Sequence, residues 1–304
     1  VGKHRMTASA TYGNLWGRDH QVSYQLITTD KGFRTYAGQG LDYRVPLPWR
    51  DQIQFSASYV KLQPSILEDL LTQKGENITA TLRYSHPLRA GDNSAEVFAG
   101  VDFKQSNNNL LWWDTATTSI PVLTNKTDVF QFTTGGSMVR RDKRGGWALG
   151  ANISYSPGGL NSRNSDVAFD SSRPFAKARY FYGQITFQRL LTLYRGWDYT
   201  CRGILQMAPH NLLPSEQLFI GGASTVRGFS ENVFGGDKGF LLTNELLSPS
   251  IPQKFSFLPK NRSVLETRFL GFFDMAEVKL ERRTSLDPQF TPLASAGIGL
   301  RSSL

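Results

Sequence analysis

Hydrophobic and polar residues alternate with a period of two along much of this sequence. In residues 53–59, hydrophobic side chains at odd positions alternate with Gln and Ser at even positions. The same alternation occurs at 6–12, 21–26, 78–84, 147–155 and 197–207. Because successive side chains of a strand point to opposite faces, this pattern predicts strands with one hydrophobic and one polar face.

The composition of the hydrophobic faces favours lipid over a protein core as their surroundings. Many positions are Ala or Gly, whereas the buried face of a soluble sandwich would carry more Val, Ile and Leu. The segments approach the roughly 9–11 residues that a tilted strand needs to cross a bilayer. Aromatic residues recur at strand ends, where an interfacial girdle lies in a membrane barrel: Tyr12, Tyr59, Tyr84, Tyr155 and Trp197. We therefore predict an all-β fold, a transmembrane antiparallel β-barrel.

The connections between predicted strands alternate between short and long. The short ones are 14–19, 46–51, 86–93, 141–146 and 191–196, and the long ones are 63–77, 105–128 and 156–179. Outer-membrane barrels have short periplasmic turns and long extracellular loops, so the alternation orients the chain. The 248–263 connection breaks this pattern, and the polar stretch 161–174 is expected to have little structure of its own.

The predicted strands number about thirteen, and the last of them, 293–304, is also the end of the sequence. Bacterial single-chain barrels have even strand numbers, which indicates that at least one strand is missing. No internal boundary or repeat is visible. We expect residues 1–304 to form one incomplete barrel domain.

The composition limits the kinds of chemical site that the chain can contain. The 304 residues contain one cysteine, Cys201, and four scattered histidines, so we expect no disulfide, metal site or cofactor. No Ser/His/Asp constellation is recognisable, so the sequence predicts no enzyme. The net charge of +9 fits basic loops and interior positions. A sharper interpretation is attraction to lipopolysaccharide phosphates or to a polar polypeptide substrate. We expect no nucleic-acid partner.

The most specific stretch is residues 213–246, LPSEQLFIGGASTVRGFSENVFGGDKGFLLTNEL. A predicted strand ends at Ile220, and Gly221 and Gly222 then permit a sharp turn. The loop that follows carries Arg227 and closes on a second glycine cluster around Asp237, made of Gly235, Gly236 and Gly239. A glycine-bounded loop with Arg227 near its tip can fold inward, where the guanidinium needs a carboxylate partner.

Several motifs resemble one family. The tetrapeptide Val226, Arg227, Gly228, Phe229 is similar to the VRGF signature of the outer-membrane translocase and insertase superfamily that includes BamA and TamA. The flanking LPSEQLFIGG and GGDKGFLLTNEL resemble the two-partner secretion branch, the haemolysin secretion/activation proteins of the ShlB/FhaC type. FLGFFDMAEV (269–278), ASAGIGLR (294–301) and NLWGRD (14–19) resemble further motifs of that family.

The resemblance implies a plug loop in the barrel lumen with Arg227 paired to a strand carboxylate. Asp274 lies at the matching motif position, and strand alternation places it on the inner side, opposite Phe269 and Phe273. Glu245 is a second candidate partner. Ala276 stands where the family usually has Gly, which leaves the local backbone approach in doubt.

The resemblance also implies a sixteen-stranded barrel, of which this sequence covers strands two to fourteen, preceded by two POTRA domains. The implied function is an outer-membrane pore that translocates an unfolded secreted exoprotein, such as an adhesin, haemolysin or contact-dependent toxin, across the bacterial outer membrane. A BamA/TamA-type assembly factor is the alternative, and a diffusion porin or outer-membrane enzyme is a third possibility. Outer-membrane lipid and lipopolysaccharide would surround the barrel.

Overall fold

Long β-strands make up most of the chain. In this computed structural model the described residues are 4–30, 32–33, 35–63, 65–66, 71–90, 93–113, 119–254, 264–288 and 291–303. The strands are β1 Arg5–Leu15, β2 His20–Thr29, β3 Tyr36–Pro46, β4 Gln52–Leu62, β5 Ser65–Ile66, β6 Leu71–Ala90, β7 Asn93–Trp113, β8 Ser119–Asp142, β9 Gly145–Ser156, β10 Tyr180–Thr192, β11 Asp198–Met207, β12 Leu218–Ile220, β13 Phe234–Gly236, β14 Lys238–Leu247, β15 Ile251–Lys254, β16 Val264–Lys279 and β17 Thr291–Ser303. The helices are α1, Asp166–Ser172, and short 3-10 turns at Tyr194–Gly196 and Pro214–Glu216.

Thirteen of the strands in this described part have ten residues or more, the number predicted from the sequence. No helix among the described residues is both long enough and apolar enough to cross a membrane. The antiparallel all-β prediction is confirmed.

The chain forms two compact units. The first consists of Val1–Pro87, Glu96–Gly135 and Ile153–Phe181, and the second of Leu88–Ala95, Gly136–Asn152 and Tyr182–Leu304. In the first unit, β1, β2, β3, β4 and β6 pair antiparallel in that order. In the second unit, the antiparallel order is β10, β11, β14, β16 and β17, and β15 pairs with the start of β16.

The polarity of the first unit is inverted relative to a soluble protein. Asp102 and Thr133 are buried and hydrogen-bonded to each other at 2.7 Å between Thr133 Oγ1 and Asp102 Oδ2. On the opposite face, Phe132 is 58% exposed and Leu82 is 47% exposed. A sheet that hides its polar side chains and exposes its hydrophobic ones is suited to contact with lipid. We call the polar face of each unit its inner face.

The same alternation runs through the second unit. Asp274 on β16 is fully buried, whereas Phe273 beside it is 47% exposed. On β11, Gln206 is buried and Leu205 is exposed. The side of β16 that the sequence assigned to Asp274 is therefore the inner face.

Two predictions about connections were wrong. The long loop expected at 105–128 is replaced by the extended ends of β7 and β8, because polar residues such as Gln105 and Asp128 bond to each other there. The polar stretch 161–174 contains α1, because Ser165 caps the helix by accepting from Ala168 N. The 248–263 connection is long, as the sequence indicated; it contains β15, and its residues 255–263 lie outside the described part.

The inverted polarity generates a stability prediction for the strands. Leu82→Arg on the outer face of β6 should lower the free energy of unfolding from lipid by about 2–4 kcal/mol, since lipid cannot solvate the guanidinium. Ser58→Arg, on the polar face of the neighbouring β4, serves as the control and should change it little. Urea unfolding in phosphatidylcholine vesicles measures both, and equal losses would contradict the assignment of faces.

Candidate functional site

The connection from β11 to β14, residues 208–237, folds back onto the inner face of the second unit. We call it the 208–237 loop. Within the loop, β12 and β13 pair as a short antiparallel ladder, in which Ile220 pairs with Phe234. The turn beyond Ile220 uses Gly221 and Gly222 at φ values of 100° and 103°, which only glycine adopts without strain. The sequence predicted this turn.

The glycines around Asp237, at the end of the loop and the start of β14, lie at close approaches. A Cβ added at Gly235 would come within 2.7 Å of the Phe219 ring, and one added at Gly236 would come within 2.6 Å of Val278. At Gly239 it would meet the Glu277 carbonyl oxygen at 2.3 Å. Larger residues would therefore push the end of the loop away from β16.

A buried hydrophobic cluster packs the loop against the sheet. Loop residues and inner-face strand residues form one buried cluster: Leu218, Ile220, Val226, Leu241, Ala276, Val278 and Leu293. Val226, the first residue of the VRGF motif, has no exposed surface. The Ala276 methyl group belongs to this cluster, so Ala at the usual Gly position contributes packing. Burying one such aliphatic side chain stabilises the fold by about 1.5–3 kcal/mol.

Arg227 makes a two-pronged ion pair with Asp274. Its Nε donates to Asp274 Oδ2 at 2.6 Å and its Nη2 donates to Oδ1 at 2.8 Å. The Arg227 backbone N–H also donates to Oδ2, at 3.2 Å. Such fork-shaped pairs fix orientation as well as charge, which a lysine ammonium cannot do.

The guanidinium has further contacts beyond Asp274. Its Nη1 donates to Glu245 Oε2 at 2.9 Å, and its Cζ lies 3.8 Å from the centre of the Phe272 ring. Glu245 Oε1 also forms an ion pair with Arg301, whose Nη2 lies 2.8 Å away. The site therefore alternates charges in the order Asp274, Arg227, Glu245, Arg301. The structure brings both predicted carboxylate partners to Arg227.

The four charged side chains differ in burial, and the most buried one is the most costly to leave without a partner. The Asp274 side chain is 0% exposed, that of Glu245 17%, that of Arg227 24% and that of Arg301 56%. The hydrogen bond to Asp274 is the main cause that raises the pKa of Arg227 above its ordinary value. Removing one partner of a buried pair costs about 3–5 kcal/mol, because the other charge is left without compensation.

The last two residues of the motif are less enclosed. Gly228 has a φ of 89°, and a Cβ added there would meet no atom within 4 Å. Phe229 is 39% exposed. The motif thus changes from a buried Val226 to an exposed tip within four residues.

Sequence reasoning missed Asp237 as a structural hub and Arg301 as a member of the charge network. Asp237 is fully buried, and its carboxylate accepts from the backbone N–H groups of Leu212 and Glu281 at 2.9 and 2.8 Å. The signal for Asp237 was an acidic residue between glycines in GGDKG. For Arg301, the signal was its inner-face position on the predicted last strand.

Among the described residues, no three or more His, Cys, Asp or Glu side chains are grouped closely enough to hold a metal ion. The arrangement holds the 208–237 loop against the sheet of the second unit.

Comparisons with known proteins show the family and the fold of the chain. The family model for the haemolysin secretion/activation proteins ShlB/FhaC/HecB matches residues 1–302. The structure of CdiB from Escherichia coli is similar, with a TM-score of 0.76 and 19% identity over 99% of this chain and 53% of that chain. CdiB from Acinetobacter baumannii gives a TM-score of 0.65 and 18% identity over 99% of this chain and 50% of that chain.

A more distant fold similarity extends to BamA from Haemophilus ducreyi lacking POTRA domains 1-3. The TM-score is 0.57, with 14% identity over 90% of this chain and 54% of that chain. The chain spans about half the length of these solved structures. No curated protein matches the sequence significantly.

The ion pair generates a test that needs no functional assay. Asp274→Asn should release the loop tip and expose the Arg227–Gly228 bond to trypsin, since an amide cannot hold the guanidinium as a carboxylate does. Limited digestion in detergent, with mass spectrometry of the fragments, would locate the new cut. Asp198→Asn is the control, because Asp198 pairs with Arg268, outside the loop. Unchanged protection of Arg227 would refute the role of the pair.

Proposed function

We propose, since the chain belongs to the ShlB/FhaC/HecB family of haemolysin secretion/activation proteins, that it is the barrel of a two-partner secretion transporter. The family and the fold place it in the bacterial outer membrane. The substrate would be a secreted exoprotein that crosses the pore unfolded. POTRA domains preceding the barrel would receive this partner, and residues 1–304 would be part of a sixteen-stranded barrel domain.

The observation that carries the proposal is the fastening of the 208–237 loop by Arg227. A loop that is folded over the inner face of a barrel obstructs the lumen. An ion pair between that loop and strand β16 holds it at a defined position without covalent chemistry. A simple diffusion pore has no need for such a fastening, whereas a protein translocator must stay sealed until its substrate arrives.

The proposal assigns no catalytic residue and no cofactor. Val226, Arg227, Gly228 and Phe229 would be the motif of the plug loop, and Asp274 and Glu245 its lumen partners. Their role would be mechanical, since they set the equilibrium between a docked and a displaced loop.

An export assay tests the function. The full-length protein with its genetically neighbouring exoprotein is expressed in an export-deficient host, and the exoprotein in the medium is measured. We expect wild type to export it and Arg227→Ala to lose most export at an unchanged level of barrel in the outer membrane. Arg227→Lys should restore little, because an ammonium group makes no two-pronged pair.

Arg189→Ala is the matched control, because Arg189 pairs with Asp142 at 2.5 Å in the same unit but away from the loop. It should export normally. If wild type exports nothing and its deletion instead depletes other outer-membrane barrels, the BamA/TamA-type assembly function replaces translocation. Normal export by Arg227→Ala would remove Arg227 from the mechanism.

A further inference from the structure

The connection between β9 and β10, residues 157–179, is a second folded segment. It contains α1, in which Phe169 has no exposed surface, and Ala176 and Ala178 are each 2% exposed. Asn164 is also fully buried. Exposed loops rarely bury so many side chains, so this segment is seated against the first unit.

Asp128 on β8 holds this segment through several polar contacts. It is 1% exposed, and its Oδ2 accepts from Asn161 Nδ2 at 3.0 Å and forms an ion pair with Arg163, whose Nε lies 3.1 Å away. Its backbone carbonyl accepts from Asn164 Nδ2 at 2.9 Å, and its N–H donates to the Arg163 carbonyl at 3.2 Å. Gln105 on β7 holds the other carboxylate oxygen at 2.8 Å. One strand residue thus binds three residues of the segment.

The segment is prepared for this contact by its own hydrogen bonds. Asn161 Oδ1 accepts from the backbone N–H groups of Arg163 and Asn164, at 2.9 and 2.8 Å. Asn164 Oδ1 accepts from Leu160 N at 3.2 Å. These bonds hold residues 160–164 in a compact turn, so little conformational entropy is lost when Asp128 binds it.

Helix α1 lies over the inner face. The Phe169 ring is 6.5 Å from the ring of Tyr180, and the Tyr180 hydroxyl donates to Gln131 Oε1 at 3.0 Å. Gln131 in turn donates to Asp102, the buried carboxylate of the inner face. Beneath the segment, Ser156 Oγ donates to the Ala178 carbonyl at 2.7 Å, and Ser156 has no exposed surface.

We propose that the 157–179 segment is a second inward-folded element that narrows the pore at the end where the long loops lie, with Asp128 as its positioning residue. The inference rests on the proposed function only in taking the barrel to be a pore. The residues involved belong to the first unit, whereas Arg227 and its partners belong to the second. Release of the segment should therefore not need release of the 208–237 loop.

The test uses the full-length protein and measures two quantities separately: how well the segment covers position 156, and the size of the pore. Ser156→Cys in a Cys201→Ser background places the one thiol of the barrel region under the segment, with little change of size. Asn161→Ala combined with Arg163→Ala then removes two of the side-chain bonds to Asp128 without altering a strand. We expect maleimide labelling of Cys at 156 to become roughly tenfold faster and single-channel conductance in planar bilayers to rise.

Arg44→Ala is the matched control: Arg44 is 47% exposed and pairs with Asp42 at 2.9 Å, whereas Arg163 is 45% exposed and pairs with Asp128 at 3.1 Å. It should change neither reading. Unchanged labelling in the double variant overturns the seating by Asp128, and faster labelling at unchanged conductance overturns the narrowing. Both readings are made without an exoprotein, so failed export would overturn the translocator function and leave this inference standing.

Discussion

The arrangement of the second unit depends on one buried carboxylate. Asp274 has no exposed surface, and its two oxygens are occupied by the side chain and backbone of Arg227. A charge buried on a strand without a partner would destabilise the sheet, so the loop that supplies the guanidinium is part of the fold. The glycine turn at Gly221 and the close approach at Gly239 are what let that loop reach β16.

The fold around this pair follows from a second constraint: hydrophobic side chains lie on the outer face and polar side chains on the inner face. With lipid as solvent, hydrophobic side chains are stable on the outer face, and polar groups gather where they can bond to one another or to water. The chain of bonds from Tyr180 through Gln131 to Asp102 is the result in the first unit. A soluble protein with the same alternation would turn those residues outward.

Strand number, strand faces and the pairing of Arg227 with Asp274 could be predicted because each depends on local alternation plus one recognisable motif. The lengths of β7 and β8 could not, since they depend on contacts between residues distant in sequence, such as Gln105 and Asp128. The fold of 157–179 depends on partners that are distant in sequence, of which Asp128 is 35 positions from Arg163. Hydrophobic periodicity carries no information about such bonds.

The position of Val226 next to Arg227 makes displacement of the loop cooperative. The Arg227 side chain is 24% exposed to solvent, but the adjoining Val226 is fully buried in the hydrophobic cluster. One peptide unit joins them, so the guanidinium cannot move far from Asp274 without pulling Val226 out of the cluster. Displacement therefore loses both contacts together, which singly contribute about 3–5 kcal/mol for the buried pair and about 1.5–3 kcal/mol for the valine. Thermal motion alone therefore rarely frees the loop, and any molecule that displaces it must bind the displaced state more tightly by a similar amount.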